Sequence, residues 1–106
     1  MGDKAYIIEE CWLEGSDEYS FRHEIILVCS DAETAEKECQ KLINEKMTRL
    51  KKCLPNYYKV ELEKTDSVEF KRPEIKVYIC DGEDEQLSDT YFFDVLEIDY
   101  VKKSKV

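Results

Sequence analysis

The residues best suited to nucleophilic or metal chemistry are five cysteines and one histidine. The cysteines are Cys11, Cys29, Cys39, Cys53 and Cys80. Their number is odd, no two form a Cys-x-x-Cys pair, and several lie among apolar residues, so a disulfide framework and a zinc site both fit poorly. A reduced cytoplasmic protein that uses cysteine as a small hydrophobic residue fits better. We therefore expect no metal and no cofactor.

His23 is the only histidine that can act as a base for a thiol. Cys29 lies six residues further along the same predicted strand and on the same face, but about 20 Å away at ~3.3 Å per residue. Cys11, on a neighbouring strand, can approach His23, yet an imidazole on a mixed sheet face is more often structural. We predict no catalytic residue and expect a protein that is not an enzyme.

Oxygen-bearing side chains recur at every second position of the acidic segment 81–89 and resemble a calcium loop. An EF-hand needs Gly at its sixth position and a bidentate Glu at its twelfth, where this chain has Gln86 and Phe92. The segment is instead predicted to be a solvated acidic hairpin loop with a turn at Asp81-Gly82.

Charge is segregated along the chain, whose formal net charge is −9. Residues 46–79 hold five acids and nine bases, whereas residues 80–101 hold eight acids and no base. Nucleic acid is a poor direct ligand for such a chain, because binding it requires Lys and Arg to neutralise phosphates. The segregation has two readings, a charge that keeps a small domain soluble or a functional acidic surface.

Apolar and polar residues alternate in five segments, which predicts strands over 4–13, 20–29, 58–63, 75–80 and 91–101. In the second strand the more apolar face is predicted to hold Phe21, His23, Ile25, Leu27 and Cys29. Residues 64–73 are predicted to form a long hairpin loop or a ragged extension of the two strands beside it.

A capping box, Ser30-Asp31-Ala32-Glu33, predicts the start of an amphipathic helix with Ser30 as its cap. Pro55 should end the helix near Leu54, giving about 24 residues and roughly 36 Å. Its apolar stripe is Ala35, Cys39, Leu42, Ile43, Met47, Leu50 and Leu54.

The 106 residues are enough for one domain, 1–106, and 42% of them are apolar. No run approaches the eighteen apolar residues of a membrane span, and the start of the chain lacks an apolar signal core. The order β-β-α-β-β-β predicts an α+β fold, an antiparallel sheet of about five strands with one long helix packed on one face.

The segment 5–42 is similar to small bacterial and phage proteins. The likeness is carried by Tyr6-Ile7-Ile8, an acidic loop, Val28-Cys29-Ser30, Ala32, Ala35, Glu36 and Leu42. In size and charge the chain also resembles phage or mobile-element inhibitors of the anti-CRISPR and anti-restriction type, some of which are DNA mimics that present carboxylates where a nuclease expects phosphates. The resemblance implies a protein of the host bacterial cytoplasm, with no membrane partner, that blocks a basic nucleic-acid-binding protein such as a CRISPR effector nuclease.

Duplex DNA carries one negative charge per ~1.7 Å, whereas carboxylates on alternate residues of one strand stand ~6.6 Å apart, so a mimic needs acids from several neighbouring elements. The predicted partner-binding residues are Asp81, Glu83, Asp84, Glu85, Asp89, Asp94, Glu97, Asp99, Glu14, Asp17 and Glu18. A competing hypothesis is a structural or assembly role, in which the helix stripe pairs with a second copy or with a partner.

Overall fold

A computed structural model describes residues 3–14, 21–64 and 73–100. These parts of the chain form five strands and one helix: β1 (Asp3–Glu14), β2 (Arg22–Cys29), α1 (Ala32–Cys53), β3 (Tyr58–Lys64), β4 (Pro73–Asp81) and β5 (Asp84–Tyr100). All strand pairs are antiparallel, in the order β2-β1-β5-β4-β3, and α1 packs on one face of the sheet. The predicted α+β fold is confirmed.

The central strand, β5, is 17 residues long and determines the shape of the molecule. It pairs with β1 through residues 89–100 and with β4 through residues 84–91, so both partners lie beside it only over 89–91. The two outer hairpins are therefore staggered along β5. The molecule measures 66 × 26 × 24 Å with a radius of gyration of 16.9 Å, against about 13 Å for a compact domain of this length.

The core lies between α1 and the sheet. Ala35, Cys39 and Ile43 follow one another at intervals of four residues, which places them on one side of the helix, and all three are buried. They pack with four buried sheet residues from different strands: Ile8, Cys29, Ile75 and Phe93. Leu42, Met47 and Leu50 of the predicted stripe pack against the same cluster.

The cap of α1 is Asp31, so the prediction of Ser30 was wrong. Asp31 has an extended backbone, and its carboxylate accepts hydrogen bonds from the Thr34 N–H at 2.7 Å and from the Thr34 hydroxyl at 2.8 Å. A side chain one residue closer to the first turn reaches these groups directly. The helix has 22 residues, and the Leu54 N–H still donates to the Leu50 carbonyl just before Pro55.

A β-bulge in β2 breaks the predicted alternation of that strand. Ile8 of β1 lies opposite Leu27, whereas Glu9 lies opposite Ile25, so Ile26 is the additional residue. Leu27 and Ile26 consequently both pack against the core beneath α1. Because the bulge changes the parity of the strand, Cys29 lies in that core while His23 lies opposite Cys11 on the uncovered face.

The predicted acidic loop over 81–89 is largely strand. Asp81 and Asp84 pair directly across a two-residue turn, and β5 begins at Asp84, seven residues before the predicted start. Gly82 has φ +65° and Glu83 has a negative φ, as a type II′ hairpin turn requires. Residues 65–72 of the other predicted loop lie outside the described residues.

Candidate functional site

Three of the predicted partner-binding acids lie together at one end of the molecule, and we call them the hairpin-tip acids: Asp81, Glu83 and Asp84. All three are exposed. Asp81 and Asp84 are cross-strand neighbours and Glu83 stands in the turn between them. Within the described chain no Lys or Arg forms an ion pair with them. The tip is therefore a small, strongly negative surface.

Glu85, the next predicted acid, is neutralised by Lys59. The Lys59 Nζ lies 2.9 Å from Glu85 Oε1 and 3.0 Å from Glu61 Oε1. To reach β5 from β3, this lysine crosses β4 with its Nζ 5.8 Å from the centre of the Tyr78 ring. The hydrogen bonds to Glu85 and Glu61 raise the pKa of Lys59. Glu85 thus belongs to a polar cluster on the uncovered sheet face.

In the middle of β5, acids stand opposite other acids. Asp89 pairs with Glu14 of β1, and Asp94 pairs with Glu9. Asp89 is half-buried and accepts a hydrogen bond of 2.8 Å from the Ser88 hydroxyl. Like charges directly opposite each other across two strands repel. Each pair brings two carboxylate side chains to adjacent positions of neighbouring strands.

The last two predicted acids lie near the opposite end of β5. Glu97 Oε1 is 2.7 Å from the Lys4 Nζ, and this hydrogen bond raises the pKa of Lys4. Asp99 stands opposite Lys4 in the register. Asp84 and Asp99 are separated by about 50 Å at ~3.3 Å per residue. Most of the described acids lie along β5, where Glu85 and Glu97 form ion pairs with Lys59 and Lys4. Asp17 and Glu18 lie outside the described residues.

One pair of the side chains considered for chemistry comes together in the structure. Cys11 does lie opposite His23, and the His23 Nδ1 is 3.7 Å from Glu9 Oε2 while its ring stacks on Phe21 at 5.7 Å between centroids. Burial raises the pKa of the Cys39 thiol to about 11. No group of three His, Cys, Asp or Glu suited to a metal ion occurs in the described segments.

Two features of the surface were missed by the sequence analysis. The neutralising lysines, Lys4 and Lys59, pair with acids that are distant in sequence, and only the strand order brings them together. A groove of about 470 Å³ also runs between the first half of α1 and the edge of the core, lined by Tyr6, Glu36, Cys39, Phe93 and Val95 among others. The position of α1 across β1 and β5 creates it, and no sequence pattern marks it.

The fold defines an α+β protein with one helix on an open, elongated antiparallel sheet. The chain matches no protein-family model, no curated protein and no solved structure. Across the described residues, no helix combines the length and apolar character needed to cross a membrane.

Proposed function

We propose that this protein is an inhibitory binding protein that inserts its hairpin-tip acids into the basic groove of a nucleic-acid-processing enzyme. The observation that supports the proposal is the exposed tip, where three carboxylates converge and the described chain supplies no cation to neutralise them. A basic groove supplies the missing positive charge. In this role the protein binds and has no catalytic activity of its own.

The shape of the molecule suits insertion better than broad coverage. The β4–β5 hairpin lies at one end of β5, in a body that is 66 Å long and 24–26 Å across. Along β5 the acids are too sparse to imitate the ~1.7 Å charge spacing of a duplex. The three tip carboxylates instead occupy a groove locally. Attraction of this kind accelerates association and weakens as salt rises.

The competing assembly role through α1 remains a prediction with less support. Most of the stripe that was expected to pair with another chain packs on the sheet of this molecule. The apolar side chains that stay exposed lie elsewhere, and Val28, Leu96 and Ile98 are 61%, 40% and 40% exposed on the uncovered sheet face. A partner that binds through apolar contacts would use that face rather than the stripe.

The test is affinity capture from a nuclease-treated bacterial lysate with three tagged baits. The first is the native protein, the second carries Asp81→Lys, Glu83→Lys and Asp84→Lys, and the third carries the same change of charge at Glu24, Glu38 and Glu45. We expect the native and third baits to retain the same nucleic-acid enzyme, released by a salt gradient and identified by mass spectrometry. The hairpin-tip bait should lose it.

Two results would contradict the proposal. One is retention of the enzyme by the hairpin-tip bait to the same extent as by the native bait. The other is recovery of only the protein itself, or of a partner that resists high salt, from all three baits. Either result would leave the acidic tip as a feature that keeps the protein soluble.

A further inference from the structure

The strand β2 is one edge of the sheet, and its outer side has no partner strand among the described residues. The backbone N–H and C=O groups on that side therefore face outward, where they are available to water or to another chain. The edge is formed by the eight residues Arg22–Cys29, which span about 26 Å at ~3.3 Å per residue. An extended peptide segment presents backbone groups that match such a row of donors and acceptors.

The two edges of the sheet differ in how well they are protected from such pairing. The other edge, β3, alternates charged and apolar residues, and its Lys59 and Glu61 form an ion pair at 3.0 Å. Charged side chains along an edge strand oppose the addition of a further strand. The strand β2 instead has four consecutive apolar residues at 25–28 and no lysine. Of the two edges, β2 is therefore the one open to a partner.

The apolar side chains of β2 are exposed along the same edge. Val28 is 61% exposed and Ile25 is 56% exposed, the two largest values among the large hydrophobic residues of the described chain. The bulge at Ile26 places both on the uncovered sheet face, because they lie opposite Ile7 and Glu9, which are two residues apart on β1. A strand added to this edge would bury both side chains through cross-strand contacts.

Two charged side chains of β2 favour a particular partner sequence. Arg22 and Glu24 are both exposed, and neither forms an ion pair within the described chain. In an antiparallel partner, the residue opposite Glu24 precedes the residue opposite Arg22 by two positions. Opposite charges that face each other across two strands stabilise the pairing. The complementary partner therefore carries a basic residue and, two positions later, an acidic one.

We propose that β2 binds an extended peptide segment of a partner protein, which adds to the sheet as a sixth, antiparallel strand. Branched apolar residues at alternate positions of the segment pack beside Ile25 and Val28, while its basic and acidic residues face Glu24 and Arg22. This binding is independent of the proposed inhibitory function, because the hairpin-tip acids belong to β4, to β5 and to the turn between them.

The test uses the acetylated and amidated heptapeptide Thr-Val-Thr-Val-Lys-Val-Glu as the probe. It is titrated into the full-length, ¹⁵N-labelled protein, and amide shifts and hydrogen exchange are followed by NMR. We expect saturable shifts along β2 and slower exchange of the β2 amides that face outward. A second peptide, in which the Lys and the Glu are exchanged, should bind several-fold more weakly. Raising the salt concentration should reduce this difference.

Backbone N-methylation distinguishes strand pairing from simple apolar contact. In an extended peptide the N–H groups of alternate residues point to the same side. One form of the probe is methylated at the backbone nitrogens of its three valines, and the other at those of the residues between the valines. Only one of these two sets of N–H groups faces β2, so one form should bind and the other should not.

Two variants with the same substitution test whether the site is on β2. Ile25→Lys adds a charge to the open edge and should abolish binding while the circular dichroism spectrum is retained. The control Leu62→Lys makes the same change on the edge strand β3, where the native side chain is 44% exposed, and should leave binding unchanged. The hairpin-tip variant should bind the peptide like the native protein, so failure of either proposal can be recognised without the other.

Binding of both N-methylated forms, or of neither, would overturn the proposal. Unchanged binding by the folded Ile25→Lys variant would also contradict it. A further contradiction would be outward amides of β2 that are already protected from exchange in the free protein, because a second copy or another part of this chain would then occupy the edge.

Discussion

At the residue scale, the start of α1 depends on one polar side chain, that of Asp31. It holds the first turn of α1 through two hydrogen bonds to Thr34, and the bond from the Thr34 N–H is the main reason that the pKa of Asp31 is lowered. The capping-box pattern led to the wrong prediction of Ser30, because Ser30 and Asp31 are adjacent and both are favourable cap residues. The extended backbone of Asp31, with φ −142° and ψ 157°, decides between them.

We predict that Asp31→Ala lowers the melting temperature by roughly 5 °C at pH 7, as expected for loss of a helix cap. Because the carboxyl pKa is depressed on folding, its contribution is present above the ordinary value of 3.8 and is lost as the pH falls through the lower folded value. Thermal unfolding of both proteins between pH 7 and pH 2 checks this. A difference that does not shrink at low pH would contradict it.

The cysteines give a second prediction at the residue scale. Cys53 is exposed, whereas Cys39 is buried with a pKa of about 11. At pH 8 only about one Cys39 thiol in a thousand is a thiolate, the form that reacts. We expect iodoacetamide to label Cys53 at least a hundred times faster than Cys39 in the native protein, as measured by peptide mass spectrometry. Comparable rates in the folded protein would refute the buried environment of Cys39.

At the scale of elements, Lys46 of α1 makes polar contacts with both β1 and β5. The Lys46 Nζ lies 3.0 Å from Glu10 Oε1 and 4.4 Å from the centre of the Tyr91 ring. The side chains of this ion pair are only 19% and 22% exposed. A cation that faces both a carboxylate and an aromatic ring in a partly dehydrated place contributes more than a surface pair.

We predict that Lys46→Ala reduces the free energy of unfolding by about 1–2 kcal/mol, because it removes both contacts and leaves Glu10 half-buried. The matched control is Lys37→Ala, which breaks an exposed pair with Glu33 on the same helix and should cost less than about 0.5 kcal/mol. Urea unfolding followed by circular dichroism measures both. Equal losses would show that Lys46 is an ordinary surface lysine.

Sequence patterns predicted best those elements whose apolar residues recur at a constant interval along the chain. Alternation located β1, β3 and β4, and the spacing of Ala35, Cys39 and Ile43 located the buried face of α1. The bulge at Ile26 was not predictable from the sequence. Strict alternation assumes that each residue of β2 has one partner on β1, and Ile26 is an additional residue. The polar start of β5 has low strand propensity, and only its pairing with β4 makes it a strand.

At the scale of the whole molecule, most acids of the segment 80–101 lie along the single long strand β5. They are therefore spread over much of the length of an elongated molecule. The sequence identified which residues are acidic, and the hairpin-tip acids do lie together. It offered no means of seeing that Glu85 and Glu97 are in ion pairs, because those depend on strand order. The groove beside Glu36 likewise exists only once α1 lies across the sheet.

The elongated shape leads to a prediction for the protein in solution. Small-angle X-ray scattering should give a radius of gyration of about 17 Å, close to the 16.9 Å of this structure. A compact rearrangement of the same chain would give about 13 Å. A homodimer would give a larger value together with twice the forward scattering, and that result would favour the assembly role over the inhibitory one.

The most direct test of the proposed function is displacement of a labelled DNA duplex from the captured enzyme, followed by fluorescence anisotropy. Native protein and the control variant reversed at Glu24, Glu38 and Glu45 should release the duplex at the same concentration. The variant reversed at Asp81, Glu83 and Asp84 should need at least ten times more. Equal displacement by all three folded proteins, or none by the native protein, would contradict inhibition through the hairpin tip.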